Sequence, residues 1–211
     1  GANTTRQENQ ANLVTENDFT TNAVDGGVRY QFATGSSLSY LMRTNKGSYL
    51  NRAVPNTGAF DDQYTQLDND LRLRWLMGTG STVNANLTHI NRTHPRYGQR
   101  DYNGFNFGAG VDWALTGKTS LSTSISHTLD AYAASNSNYS GTDKISVSAG
   151  WQISPKVGLR LKNDWAQRSY LGSPSTAASS NRQDITRDTN LSVNWQAHEQ
   201  LALSASLQQS S

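Results

Sequence analysis

Apolar and polar residues alternate one by one through most of this chain, and that period constrains its fold more than any other property. Leu67, Leu71, Leu73 and Trp75 fall on one parity, and Asp68, Asp70, Arg72 and Arg74 on the other. Phe105, Phe107, Ala109, Val111 and Trp113 oppose Asn106, Gly108, Gly110 and Asp112. Leu121, Thr123, Ile125 and Leu129 oppose Ser122, Ser124, Ser126 and Thr128. Similar runs lead to Trp151 and Trp195 and follow each of them. A period of two sustained over about ten residues is the mark of a strand with one apolar face. No stretch with a helical period competes.

The alternation is organised into a repeat. An aromatic residue, a short turn and an aliphatic residue recur as Tyr30 to Leu38, Trp75 to Val83, Trp113 to Leu121, Trp151 to Leu159 and Trp195 to Leu203. The aromatics are spaced 45, 38, 38 and 44 residues apart. Turn-forming residues lie between: Thr34-Gly35, Gly78-Thr79-Gly80, Thr116-Gly117-Lys118 and Ser154-Pro155-Lys156, with His198-Glu199 in the last unit. This predicts ten strands in five hairpins, at about 20–32, 37–44, 63–76, 81–92, 102–114, 119–130, 142–153, 156–168, 184–195 and 200–209. Residues 2–9 are a candidate eleventh. Long polar loops are expected at about 45–62, 93–101, 131–141 and 169–183.

Composition narrows the reading. Only 35% of the 211 residues are hydrophobic, and no window offers the roughly 20 consecutive apolar residues of a membrane helix. A formal charge of +2, from 18 basic and 16 acidic residues, argues against a nucleic-acid partner. The absence of cysteine excludes disulfides and thiolate metal sites. Long alternating strands, alternately short and long connections, and an aromatic at one edge of every hairpin are together what an antiparallel up-and-down transmembrane β-barrel requires. The expected setting is the outer membrane of a Gram-negative bacterium, with membrane lipid and lipopolysaccharide as neighbours. Tyr30, Trp75, Trp113, Trp151 and Trp195 would form the periplasmic aromatic girdle. A soluble β-sandwich explains neither the strand length nor the repeated edge position of the tryptophans, and a β-solenoid has shorter repeats and an apolar interior. The 211 residues read as a single barrel domain, both of whose ends look cut rather than finished.

The polar parity is then the lumen. It carries Asp25, Arg29, Asp68, Asp70, Arg72, Arg74, Asp112, Arg160, Lys162 and Asp164, with Ser122, Ser124 and Ser126 as a hydroxyl-lined stretch. Two readings of these charges stand: bridges between strands that stiffen the wall, or contacts with a passing hydrophilic solute. Because both signs mix along the chain, strong ion selectivity is not predicted. Tyr49, Phe60, Tyr97, Tyr132, Tyr139 and Tyr170 concentrate in the loops, either packing there or offering rings to a glycan. Arg92, Arg96 and Arg100 cluster near the outer rim, either solvated or facing lipopolysaccharide phosphates. Asn69, Asn163, His89 and His127 interrupt the apolar parity. The two histidines are expected at the far interface, on strands separated by a third, which does not suit a shared metal.

Catalytic signatures are missing. The chain has no G-x-S-x-G, H-E-x-x-H, P-loop or G-x-G-x-x-G motif. His89 and His127 have the wrong parity to meet a lumenal serine, and His94 and His198 fall in a loop and a turn. No enzyme activity, cofactor or metal is expected.

Several segments carry a family likeness. Gly26-Gly27-Val28-Arg29-Tyr30, Tyr49-Leu50-Asn51-Arg52, Gln99-Arg100-Asp101-Tyr102-Asn103-Gly104, the Trp113–Leu121 unit, Trp165 to Gly172 and Leu201 to Gln208 stand in order along the chain. Together they resemble the outer-membrane β-barrel proteins associated with exosortase B and extracellular polysaccharide loci, the EpsL-type family. The resemblance implies a passive role in extracellular polysaccharide export across the outer membrane, alongside polysaccharide export machinery. Members of that family are longer, so the chain reads as a fragment lacking N-terminal strands and the last C-terminal strands. A general diffusion porin and a plugged structural or adhesive surface scaffold are the alternatives.

Overall fold

The computed structural model describes residues 1–7, 18–49, 61–78, 80–134, 137–172 and 182–211. It is all-β. Eleven strands follow in chain order: β1 (Ala2–Gln7), β2 (Phe19–Gln31), β3 (Ser37–Tyr49), β4 (Gln63–Met77), β5 (Ser81–Thr93), β6 (Tyr102–Ala114), β7 (Thr119–Ala134), β8 (Ser137–Ser154), β9 (Val157–Leu171), β10 (Gln183–His198) and β11 (Leu201–Ser210). Each pairs antiparallel with its neighbours in sequence, giving one up-and-down sheet. The sheet is not closed: β1 and β11 are its two edges. Among the described residues no helix is long and apolar enough to cross a membrane.

Each girdle aromatic pairs across its tight turn with the aliphatic residue eight positions on: Tyr30 with Leu38, Trp75 with Val83, Trp113 with Leu121, Trp151 with Leu159 and Trp195 with Leu203. The next register is offset by a constant amount. Leu38 pairs with Leu73, Val83 with Val111, Leu121 with Ala149 and Leu159 with Val193, in every case two residues before the next tryptophan. The stagger is therefore one residue per strand. An eight-stranded barrel with a shear of eight has the same ratio and tilts its strands by about 36°.

Successive tight turns are tied together at this end. The residue after each tryptophan donates its backbone N–H to the turn before it. Leu76 donates to the Ser36 hydroxyl at 3.0 Å and Ala114 to the Ser81 hydroxyl at 3.3 Å. Gln152 donates to the Lys118 carbonyl at 2.7 Å and Gln196 to the Lys156 carbonyl at 2.8 Å. Gly35 and Gly80 supply the left-handed backbone of their turns, with φ of 82° and 81°.

The strands run further than the alternation suggested. β3 continues to Tyr49, and β7 and β8 continue through residues 131–134 and 137–141, so the 131–141 loop is mostly hairpin. β9 likewise takes in Ser169, Tyr170 and Leu171. Ladder hydrogen bonds come from the backbone and persist where the side chains stop alternating. The 93–101 connection is a loop with a short 3-10 turn at Gly98–Arg100. Residues 50–60 and 173–181, within two of the other expected loops, lie outside the described residues.

Only Ile90 and Tyr102 are buried apolar side chains among the described residues. Much of the apolar parity is instead exposed on the convex face, including Val28, Leu71, Ile125, Ile145 and Leu161, and the rest is half-buried. Polar residues of the other parity, from β2 through β9, converge on one concave cavity of about 1040 Å³.

Candidate functional site

The concave wall is built from the small and polar side chains that alternate with the apolar ones. Its middle is neutral. Gly108 and Gly110 on β6, Ser122, Ser124 and Ser126 on β7, and Ser146 and Ser148 on β8 line the cavity. Glycine has a steric reason at β6, because a Cβ at Gly108 would stand 2.6 Å from the side-chain oxygen of Asn86. Charged strands flank this stretch, with Arg29, Asp70, Arg72 and Arg74 on one side and Arg160 and Lys162 on the other; Asp112 lies at its end. Asp25 and Asp68 share the parity but sit nearer the long-loop end. Asp68 accepts hydrogen bonds from Asn45 at 3.0 Å and Gln66 at 2.7 Å, and Asp25 faces Arg43 in register. Ser37, Ser39, Asn84, Asn86 and Thr88 also line the cavity. They were legible as the polar partners of Leu38, Val83, Ala85 and Leu87.

Acids and bases on this wall have different fates. Asp70 is buried, pairs with the Arg72 guanidinium and accepts from the Thr88 hydroxyl at 2.9 Å. Asp164 is held between Lys162 at 2.8 Å and Lys144 at 3.4 Å, with its side chain 15% exposed. Arg74 and Arg160 are exposed and have no ion-pair or hydrogen-bond partner among the described residues.

The convex face carries the five aromatics expected to form a girdle. Trp75, Trp113, Trp151 and Trp195 are 47–52% exposed and Tyr30 more so. The four interruptions of the apolar parity each have a partner on that same face. The Tyr40 hydroxyl donates to Asn69 Oδ1 at 2.7 Å, and the Thr189 hydroxyl to Asn163 Oδ1 at 2.7 Å. His89 Nε2 lies 2.8 Å from Asn103 Oδ1, and His127 Nδ1 lies 2.7 Å from Asp143 Oδ1. Phe105 and Phe107 pack on the rings of His89 and His127. The two histidine strands, β5 and β7, are separated by β6.

The long-loop end is ordered by Asp61. Its carboxylate accepts the backbone N–H groups of Arg96 at 3.0 Å and Tyr97 at 3.1 Å, and that of Gln63 at 3.3 Å. Burial works against its charge, but these bonds and one with Asp62 outweigh it and hold the carboxyl below its ordinary range. Burial likewise pushes the His94 imidazole below its usual value, against the opposing pull of Asp101 at 3.3 Å. Of the rim arginines, Arg100 is buried. Arg92 lies 4.1 Å over the Tyr64 ring and donates to Gln66 at 2.7 Å, while Arg96 is 55% exposed and 3.7 Å from Asp62. Loop aromatics pair with neighbours: Tyr49 with Phe19, Tyr139 stacked on Tyr102 at 5.1 Å, and the Tyr170 hydroxyl donating to Asp184 at 2.7 Å. Phe60 lies outside the described residues.

No protein-family model and no curated protein matches the chain.

Proposed function

We propose that the chain forms a bacterial outer-membrane β-barrel wall that gives an extracellular polysaccharide a passive, polar path across the membrane. One observation carries the membrane reading: a single sheet exposes its apolar parity on the convex face and gathers its polar parity around a cavity. In water a sheet must cover its apolar face with a second layer. In lipid the same face needs no cover, and the girdle tryptophans sit with rings in the apolar zone and N–H groups toward water. The paired state of Asn69, Asn163, His89 and His127 supports the same reading, since a polar group facing hydrocarbon needs a protein partner.

The polysaccharide as cargo rests on the resemblance to exosortase B-associated barrels and on the hydroxyl and amide lining. Such a wall offers many weak hydrogen bonds, which suit transit better than retention. Lipid also demands that both sheet edges be paired. β1 and β11 run in the same direction, so antiparallel closure takes an odd number of additional strands.

The test joins membrane fractionation, polymer secretion and planar-bilayer conductance in one strain set. Deletion is expected to leave polymer unsecreted; in the parent strain the protein is expected in the outer-membrane fraction, and once purified it should show a conductance that the cognate polymer blocks. A large conductance indifferent to the polymer would assign a diffusion porin. No conductance with normal secretion would assign a structural scaffold.

A further inference from the structure

We infer that the cavity recognises anionic rather than neutral glycan, specifically a carboxylate-bearing oligosaccharide. This rests on reading the concave wall as the path of a hydrophilic polymer. The chain is nearly charge-balanced, yet the wall is not balanced in what it presents. Two of its carboxylates, Asp70 and Asp164, are turned into the protein and neutralised. The Asp70 side chain is 7% exposed beneath Arg72, itself 63% exposed. Asp164 is 15% exposed beneath Lys162, itself 46% exposed. Two further guanidinium groups, Arg74 and Arg160, face the cavity without a partner among the described residues. Among the described residues Arg29 has only the Ser37 hydroxyl, at 3.3 Å. Asp112 is the one exposed carboxylate among the cavity-lining residues.

The positions of these cations suit an extended ligand. Arg74 on β4 and Arg160 on β9 stand on opposite flanks of the neutral β6–β8 stretch. A chain lying along the serines would meet hydroxyl groups in the middle and a guanidinium at each side. Guanidinium presents a planar fork that matches a carboxylate bidentately, and serine hydroxyls match sugar hydroxyls. A cavity with low-dielectric walls raises the local concentration of the favoured sign, and salt weakens that preference.

The experiment compares fluorescent tetragalacturonate with maltotetraose, an uncharged chain of equal length, on the detergent-solubilised full-length protein at 50 mM and 300 mM KCl. The acidic oligomer is expected to bind on the order of tenfold more tightly at low salt, with most of that advantage lost at high salt. The pair Arg74→Gln and Arg160→Gln should remove the preference without unfolding the sheet, because neither side chain is bonded within it. Asp112→Asn should enlarge it. Equal binding of both oligomers, binding of neither, or an acidic preference untouched by the double arginine variant overturns the inference. Because the assay needs no membrane, it is separable from the export reading. A protein that prefers the uronate yet proves dispensable for secretion keeps this inference and loses that role.

Discussion

The Thr189 hydroxyl donates to Asn163 Oδ1 at 2.7 Å on the convex face, where the two residues are directly opposite in the β9–β10 register. In a water-facing sheet this bond would be worth little, since water replaces it. In lipid, Thr189→Val leaves the asparagine oxygen without a donor. It should cost about 1–2 kcal/mol in denaturant unfolding from lipid vesicles. Adding Asn163→Leu should recover most of that loss. A double variant no more stable than the single one would show that the bond has no special value on this face.

Neighbouring residues on one strand separate the two faces more sharply. Ile145 is half exposed on the convex side between Ile125 and Trp165, and Ser146 lines the cavity between Ser124 and Asp164. Ile145→Arg should cost about 2–4 kcal/mol if that face meets the bilayer interior. Ser124→Arg, at the exposed cavity-wall position opposite Ser146 in register, should stay within about 0.5 kcal/mol, as an ordinary substitution on a wetted surface does. Equal and small effects at both positions would mean that both faces are wet.

The girdle predicts a common depth. Single-tryptophan variants retaining Trp75, Trp113, Trp151 or Trp195 should be quenched alike by lipids brominated near the headgroup. Trp165 pairs with Ile145, six residues along β8 from Trp151, and should be quenched most by lipids brominated deep in the chain. Six residues of strand are roughly 20 Å before tilt, enough to distinguish the two depths. Uniform quenching of all five would contradict the placement.

The loop held by Asp61 should open in acid. Asp61 has a folded pKa below its ordinary value, so its contribution is complete above the usual carboxylate range and is lost as pH falls through the folded pKa. His94 acts in the same direction at higher pH. Its folded pKa is lowered, so protonation costs stability as pH falls below about 6.5. Amide resonances of Arg96 and Tyr97 should report a first loosening below that pH and full release only in strong acid. Asp61→Asn should weaken the loop already at neutral pH, by about 1–3 kcal/mol for the charged acceptor lost. Unchanged resonances in that variant would show that the tie does not order the loop.

Much of this molecule is readable from local pattern. A period of two fixes which side chains share a face whatever the strand pairs with, so the apolar parity, the cavity parity and the common register position of Trp75, Trp113, Trp151 and Trp195 all follow from residue order. The tight turns follow from Gly35, Gly80 and their neighbours. Strand ends do not, because beyond the apolar zone both parities are polar and the alternation vanishes while the backbone ladder of β7 and β8 continues. The charge of the wall was the least legible feature. From the chain alone Asp70, Asp164, Arg74 and Arg160 are equivalent members of a mixed-sign face. Register brings Thr88 against Asp70, and Lys144 reaches Asp164 across the β8–β9 pair. Those neighbours are about 20 residues away in sequence. Local alternation says that a charge faces inward. Only the paired strands decide whether it is covered and neutralised there or left open to a ligand, because desolvation and ion pairing depend on what lies across the sheet.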